Sequence, residues 1–188
     1  MIRQAFLLSA LLALLSPVAN ALEEPAFELL ETIGEVELRR YAPTIEARTP
    51  LVSNRETGGG FQRLAGYIFG GNDSGEKIAM TAPVAETLSG SESVMAFTMP
   101  SSYDISSLPE PNDPNVSLHR TPERLVAAVE FGGWATSGKV KRYREQLIST
   151  LADSNISLAG PPTLHQFNPP WTPPFLRRNE IVVEVTLN

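Results

Sequence analysis

FQRLAGYIFGGNDSGEKIAMTAPV, Phe61 to Val84, joins a helix, a glycine stop, a turn and an extended segment in one unit, and the remaining chain is organised around it. Phe61, Leu64, Ala65, Ile68 and Phe69 fall at i, i+3, i+4, i+7 and i+8, which places them on one helical stripe, with Gln62, Arg63 and Gly66 off it. Gly70-Gly71 ends the helix, because glycine reaches left-handed cap angles without a Cβ clash. Asn72 to Gly75 supplies turn chemistry, and Lys77 to Ala82 reads as a short strand, with Pro83 turning Ala82 away from helix.

Upstream, Arg3, the apolar run Ala5 to Leu15 and Ala19-Asn20-Ala21 have the charge, length and small-residue ending of a cleavable signal peptide over residues 1–21. The apolar run is too short to span a bilayer, so no stable transmembrane anchor is expected, and the chain is expected to be periplasmic or secreted. Cleavage would leave residues 22–188 as a single domain large enough to bury its own core. The 188-residue chain has no cysteine, which excludes disulfides and a thiol nucleophile. Losing Arg3 takes Lys plus Arg from 15 to 14 against 21 acids and the net charge from −6 to −7. Such a surface favours solubility and disfavours nucleic acid as a partner. Sequons at Asn72, Asn115 and Asn155 would matter only in a eukaryotic secretory pathway.

Phe27 to Ile33 and Val36 to Arg48 alternate apolar and polar residues as half-buried strands do, with Gly34-Glu35 as a turn and Pro43 as a bend or edge marker. Val94 to Met99 is again strand-like. VELRRYAP, from Val36, is echoed eighty residues later by VSLHRTP, from Val116, and each copy leads into an alternating strand, a glycine pair or triplet, and a helix. In the second copy Leu125, Ala127, Val129 and Phe131 share a face, Thr136 or Ser137 caps the helix, and Val140, Tyr143, Leu147, Ile148 and Leu151 form its stripe. Ile181 to Leu187 is a last alternating strand, and Ser101 to Asn115 reads as a polar surface linker between the halves. Two β-rich halves with one helix each predict an α+β fold, an antiparallel sheet or distorted barrel from two similar halves, flanked by two helices.

No nucleophile elbow, zinc-protease motif, Walker loop or dinucleotide fingerprint occurs, which weighs against an enzyme. Gly58-Gly59-Gly60 is a helix start more than an anion cradle. His119 and His165 are the only histidines; the strand parity of His119 points it to solvent, and His165, just before a proline-rich loop, is the better metal-ligand candidate. Met80 is a core filler beside the helix unit. In that loop, Asn168 to Leu176, four prolines hold an extended form that presents Trp171, Phe175 and Leu176 at low entropic cost, with Arg177-Arg178 directly after. A stiff aromatic wall ending in two guanidinium groups suits a flat apolar ligand with peripheral carboxylates. The same loop could instead cap the sheet, with either arginine paired to Glu180.

YIFGGNDSGEKIAMTAPV (Tyr67 to Val84), FTMPS (Phe97 to Ser101), PNDP (Pro111 to Pro114) and FNPPW (Phe167 to Trp171) with RRNE (Arg177 to Glu180) together resemble the SOUL haem-binding family, over about Phe27 to Val185. The resemblance implies a distorted antiparallel barrel of two similar halves with two outer helices. It also implies non-covalent binding of haem or another porphyrin in a groove between the first helix and the proline-rich loop. By position that groove would be lined by Leu64, Ile68, Trp171, Phe175 and Leu176, with Arg63, Arg177 or Arg178 near the propionates. The family's proposed histidine beside the early-strand tyrosine is replaced by Arg40 before Tyr41, which leaves His165 as the remaining metal candidate. The expected role is a carrier or buffer whose loop, rather than second helix, decides binding. An enzyme acting on a tetrapyrrole or other planar substrate, and a protein-interaction domain, are the alternatives.

Overall fold

Alternation of apolar and polar residues is spent on one large antiparallel sheet. The computed structural model describes residues 22–51, 57–88 and 93–187, so the expected signal peptide lies outside the described residues. In chain order the strands are β1 (Phe27–Ile33), β2 (Val36–Tyr41), β3 (Thr44–Leu51), β4 (Val84–Thr87), β5 (Ser93–Thr98), β6 (Ser117–Thr121) and β7 (Arg124–Gly132). They are completed by β8 (Ile156–Leu158), β9 (Thr163–Gln166) and β10 (Arg178–Leu187). Helix α1 (Thr57–Ile68) follows β3, and α2 (Ser137–Asp153) follows β7. The two halves read in the sequence are therefore two strand–strand–helix units, β2-β3-α1 and β6-β7-α2.

The sheet runs β1-β2-β7-β10-β9-β4-β5-β3-β6, with β8 paired to the end of β10. It ends at β1 and β6, which do not pair, so among the described residues the expected barrel is an open sheet. Both edge strands are mostly exposed and carry charge, Glu28 and Glu31 on β1 and Arg120 on β6, which discourages further pairing. The sheet nevertheless curls: Arg124 on β7 reaches Glu46 on β3 at 3.5 Å, although the two strands lie far apart in the pairing order.

Cross-strand partners in an antiparallel sheet point to the same side, so the register defines two faces. One runs through Leu38, Ala127, Val183, Ile181 and Leu164 to Glu86, Met95, Phe97 and Ala47. Both helices pack on this face. Leu147 and Leu151 of α2 join Val36, Val129, Phe131 and Val185, while Leu64, Tyr67 and Ile68 of α1 join Ala47, Leu51, Met95 and Phe97. Thr136 caps α2 by accepting from the Lys139 backbone N–H, as its position in the sequence implies.

Three local expectations are corrected. The first helix begins at Thr57, four residues before Phe61, and takes in the glycine triplet. Gly60 is buried against Leu51, so the missing side chain brings α1 down onto β3. Lys77 to Ala82 is extended but forms no strand, because its backbone bonds go to unrelated partners: Ile78 N–H donates to Ile68 C=O at 2.8 Å and Ala82 N–H to Glu23 C=O at 2.8 Å. The Ser101–Asn115 segment is more than a surface linker, since Leu108 is buried beneath α1 and the Tyr67 hydroxyl donates to Pro109 C=O at 2.9 Å. Asn72, the first sequon, is also buried, its amide donating to the carbonyls of Tyr67 and Glu76.

Candidate functional site

Helix α1 contacts β3 and β5, and α2 contacts β7, β8 and β10, so the central strands β4 and β9 are left between them. Over these strands lies a cleft of about 820 Å³, within the size range of small-molecule sites. Its floor is Val84 and Glu86 of β4, Met95 of β5, and Leu164 and Gln166 of β9. Phe61 and Gln62 of α1 form one wall, and Trp134, Val140 and Arg144 the other. The proline-rich loop closes one end through Asn168, Pro170 and Arg177.

The chemistry of this cleft is an apolar floor with cations above it. The Arg177 guanidinium lies 3.8 Å from the Trp134 ring centroid, a cation–π contact. Its Nε donates to Thr172 C=O at 2.9 Å and its Nη2 to Pro170 C=O, which fixes its position. Lys141, also at the cleft, has only a 3.9 Å pairing with Glu145 on its own helix, and Arg144 makes no ion pair among the described residues. Glu86 is the acid of the floor; burial raises its pKa, and it has no hydrogen bond or ion pair among the described residues.

Of the residues taken from the sequence, only Arg177 lines this cleft. Leu64 and Ile68, 0 % and 1 % exposed, are consumed by the core between α1 and the sheet. Trp171 and Phe175, both 83 % exposed, and Leu176 stand on the outside of the loop, where a short 3-10 turn at Pro174–Leu176 points them away from the floor. Arg63 turns to β3, its Nε donating to Thr49 Oγ1 at 2.9 Å and its Nη2 to Pro50 C=O at 2.7 Å. Arg178 lies 3.7 Å from the Phe167 ring centroid and pairs with Glu24 rather than Glu180.

His165 is separated from the cleft by the sheet itself. Leu164 and Gln166 point into the cleft, so the residue between them points to the opposite face. There burial, and then the positive charges of Arg124 and Arg39, push its pKa down to about 3, so the imidazole is neutral. His119 is exposed and bonded to the Ser117 hydroxyl at 2.8 Å. Among the described residues no three His, Asp or Glu side chains are grouped to hold a metal ion, and no helix is long and apolar enough to cross a membrane.

Trp134 and Phe61 are cleft residues that the sequence reading did not assign to a site. Phe61 fitted the helical stripe, yet it sits at the stripe's edge, its ring 5.4 Å from that of Phe97 and its remaining surface toward the cleft. Trp134 left a faint signal, a large aromatic between Gly132-Gly133 and a helix cap, where no core stripe requires one.

The family model of the SOUL heme-binding protein matches residues 22–184. The chain belongs to the SOUL family. Among SOUL relatives, heme-binding protein 2 of Mus musculus is 32 % identical over 147 residues, covering 71 % of this chain and 70 % of the relative. Heme-binding protein 1 of the same organism is 27 % identical over 126 residues, covering 63 % and 66 %. The fold extends beyond such relatives. The C-terminal domain of EcmrR superposes with a TM-score of 0.61 at 12 % identity, covering 81 % of this chain and 98 % of that domain, which shows a common fold alone.

Proposed function

We propose that this SOUL chain binds haem or another porphyrin non-covalently in the cleft between α1 and α2, as an exported carrier or buffer without turnover. The observation that carries the reading is the uncovered strip of β4 and β9, an apolar floor of Val84, Met95 and Leu164 flanked by Phe61 and Trp134 and overlooked by Lys141, Arg144 and Arg177. The names of the mouse relatives, both heme-binding proteins, support the ligand class. A porphyrin face laid on ~200 Å² of apolar wall gains about 5 kcal/mol at ~25 cal/mol/Å², before ordering costs. Propionates would lie toward Arg144 and Arg177, where charge-assisted hydrogen bonds fix orientation. With no cysteine in the chain, attachment through a thioether is not available.

Titration with hemin, followed by its visible absorbance, tests this reading. Phe61→Ala combined with Trp134→Ala should weaken affinity at least tenfold, about 1.4 kcal/mol, in a folded protein. If that variant binds like the wild type while Trp171→Ala with Phe175→Ala abolishes binding, the ligand sits on the outside of the loop and the cleft is not the site. Export rests on the leader at residues 1–21. Mature material from outside the cytoplasm should begin at Leu22, and an uncleaved membrane-retained chain would contradict export.

A further inference from the structure

The sheet face opposite the helices carries a second pocket, about 350 Å³, lined by Arg124, His165 and the apolar side chains of Ala85, Ala96, Val126 and Val182. Its hydrogen bonding is incomplete in a specific way. The Thr163 hydroxyl has one proton, which it donates to Val182 C=O at 3.1 Å. It must therefore accept from His165 Nε2, 3.1 Å away, so the ring proton is on Nε2 and the lone pair is on Nδ1. That Nδ1 is buried and has no partner among the described residues. Arg124 Nη1, a donor, is likewise buried without a partner.

The acids nearby do not answer the arginine. Glu46 receives Arg48 Nε at 2.9 Å and touches only the other amine of Arg124, at 3.5 Å. Glu180 is held by Arg39 at 2.8 and 3.2 Å. The other charged groups around His165 are Arg178 at the start of β10, Glu130 on β7, Glu37 on β2 and Glu24 of the N-terminal segment, the last paired with Arg178. One wall of the pocket thus offers an unmet donor, and another an unmet acceptor. Both groups are costly to bury unmatched.

We propose that this pocket binds a small apolar monocarboxylic acid, one oxygen accepting from Arg124 Nη1 and the other sharing a proton with His165 Nδ1. A guanidinium prefers an anionic oxygen, and the apolar walls select a compact hydrocarbon body. The second oxygen and the imidazole lone pair would repel each other unless a proton lies between them. Because the imidazole is neutral beforehand, the carboxylate must bring one proton from solvent, and no covalent bond is made or broken. The same positive charges that keep the empty ring neutral are offset once the anion is seated.

Calorimetry with benzoate at pH 7, in two buffers of different ionisation enthalpy, measures this directly. Saturable binding with uptake of about one proton is expected, together with a shift of the His165 ring resonances. Arg124→Gln should weaken binding at least tenfold. Ala85→Leu, which fills the pocket opposite His165 while leaving both polar groups in place, should do the same. The Ala85→Leu result and the wild-type proton count decide the matter even if Arg124→Gln does not fold. No saturation would mean that buried water alone serves the two groups. Equal binding of benzamide without proton uptake, or benzoate binding that survives Ala85→Leu, would also overturn the proposal. Because the porphyrin cleft lies across the sheet, hemin titration of the same variants separates failure of one site from failure of the other.

Discussion

Arg39 and Glu180 show how much a single buried contact can decide. Both are almost fully buried, and two guanidinium nitrogens meet the two carboxylate oxygens at 2.8 and 3.2 Å. Burial alone would lower the arginine's pKa, but the hydrogen bond and charge of Glu180 outweigh it and hold the guanidinium protonated. Arg39→Met strands a buried carboxylate and should cost about 3–5 kcal/mol in urea unfolding. Adding Glu180→Leu should recover most of that loss, and a double variant no better than the single would show that the pair is not the coupled unit its geometry implies. Glu86 carries the opposite sign. Its pKa is raised by burial, so stability is complete below the ordinary carboxyl range and declines as pH climbs through that range and the raised value. Glu86→Gln should therefore raise the melting temperature at pH 7 and change it little near pH 4. In the hemin titration it should also tighten binding, because a negative charge leaves the floor beneath the propionates.

At the scale of elements, the end of α1 is held by a close approach that only glycine permits. Gly71 N–H donates to Gly66 C=O at 2.8 Å, and a Cβ on Gly71 would lie 2.6 Å from that same oxygen. Gly71→Ala should thus cost about 1–3 kcal/mol, the range of an overpacked site, whereas Gly66→Ala, with open space around it, should be neutral or stabilising. Thermal unfolding of the two variants side by side checks the contrast. Both helices, the glycine stop and the alternating faces of β2, β7 and β10 were legible in the sequence, because each follows from local periodicity or a cap. The site was less legible. Leu64 and Ile68 have the same spacing whether they face a core or a ligand, and only the sheet packed beneath them shows that they face a core. Trp171 and Phe175 are fixed by a 3-10 turn whose direction no pattern in the Pro-rich stretch encodes. The cleft itself arises because two helices seated far apart on one sheet leave β4 and β9 bare, a relation between halves that neither half contains.

For the molecule as a whole, the two faces of the sheet divide the labour: helices and an apolar cleft on one, a charged and curled interior on the other. The interior is where acid should act. His165 is held neutral, with its pKa at about 3 against an ordinary 6.5, by burial and by Arg124 and Arg39. Between those two values the unfolded chain binds a proton that the folded chain refuses, so stability is greatest above pH 6.5 and falls as pH drops toward 3. One such proton contributes a slope of up to about 1.4 kcal/mol per pH unit. The carboxylates add slopes of their own, so the informative quantity is the difference between wild type and His165→Gln. Urea unfolding at pH 7, 5.5 and 4.5 should show the two curves converging as pH falls, with the wild type losing stability faster. Benzoate should flatten the wild-type decline if it seats a proton on Nδ1, and should leave His165→Gln unaffected. Parallel curves for the two proteins would mean that the ring is reached by solvent and protonates in the folded state, and both the neutral imidazole and the pocket built on it would then be wrong.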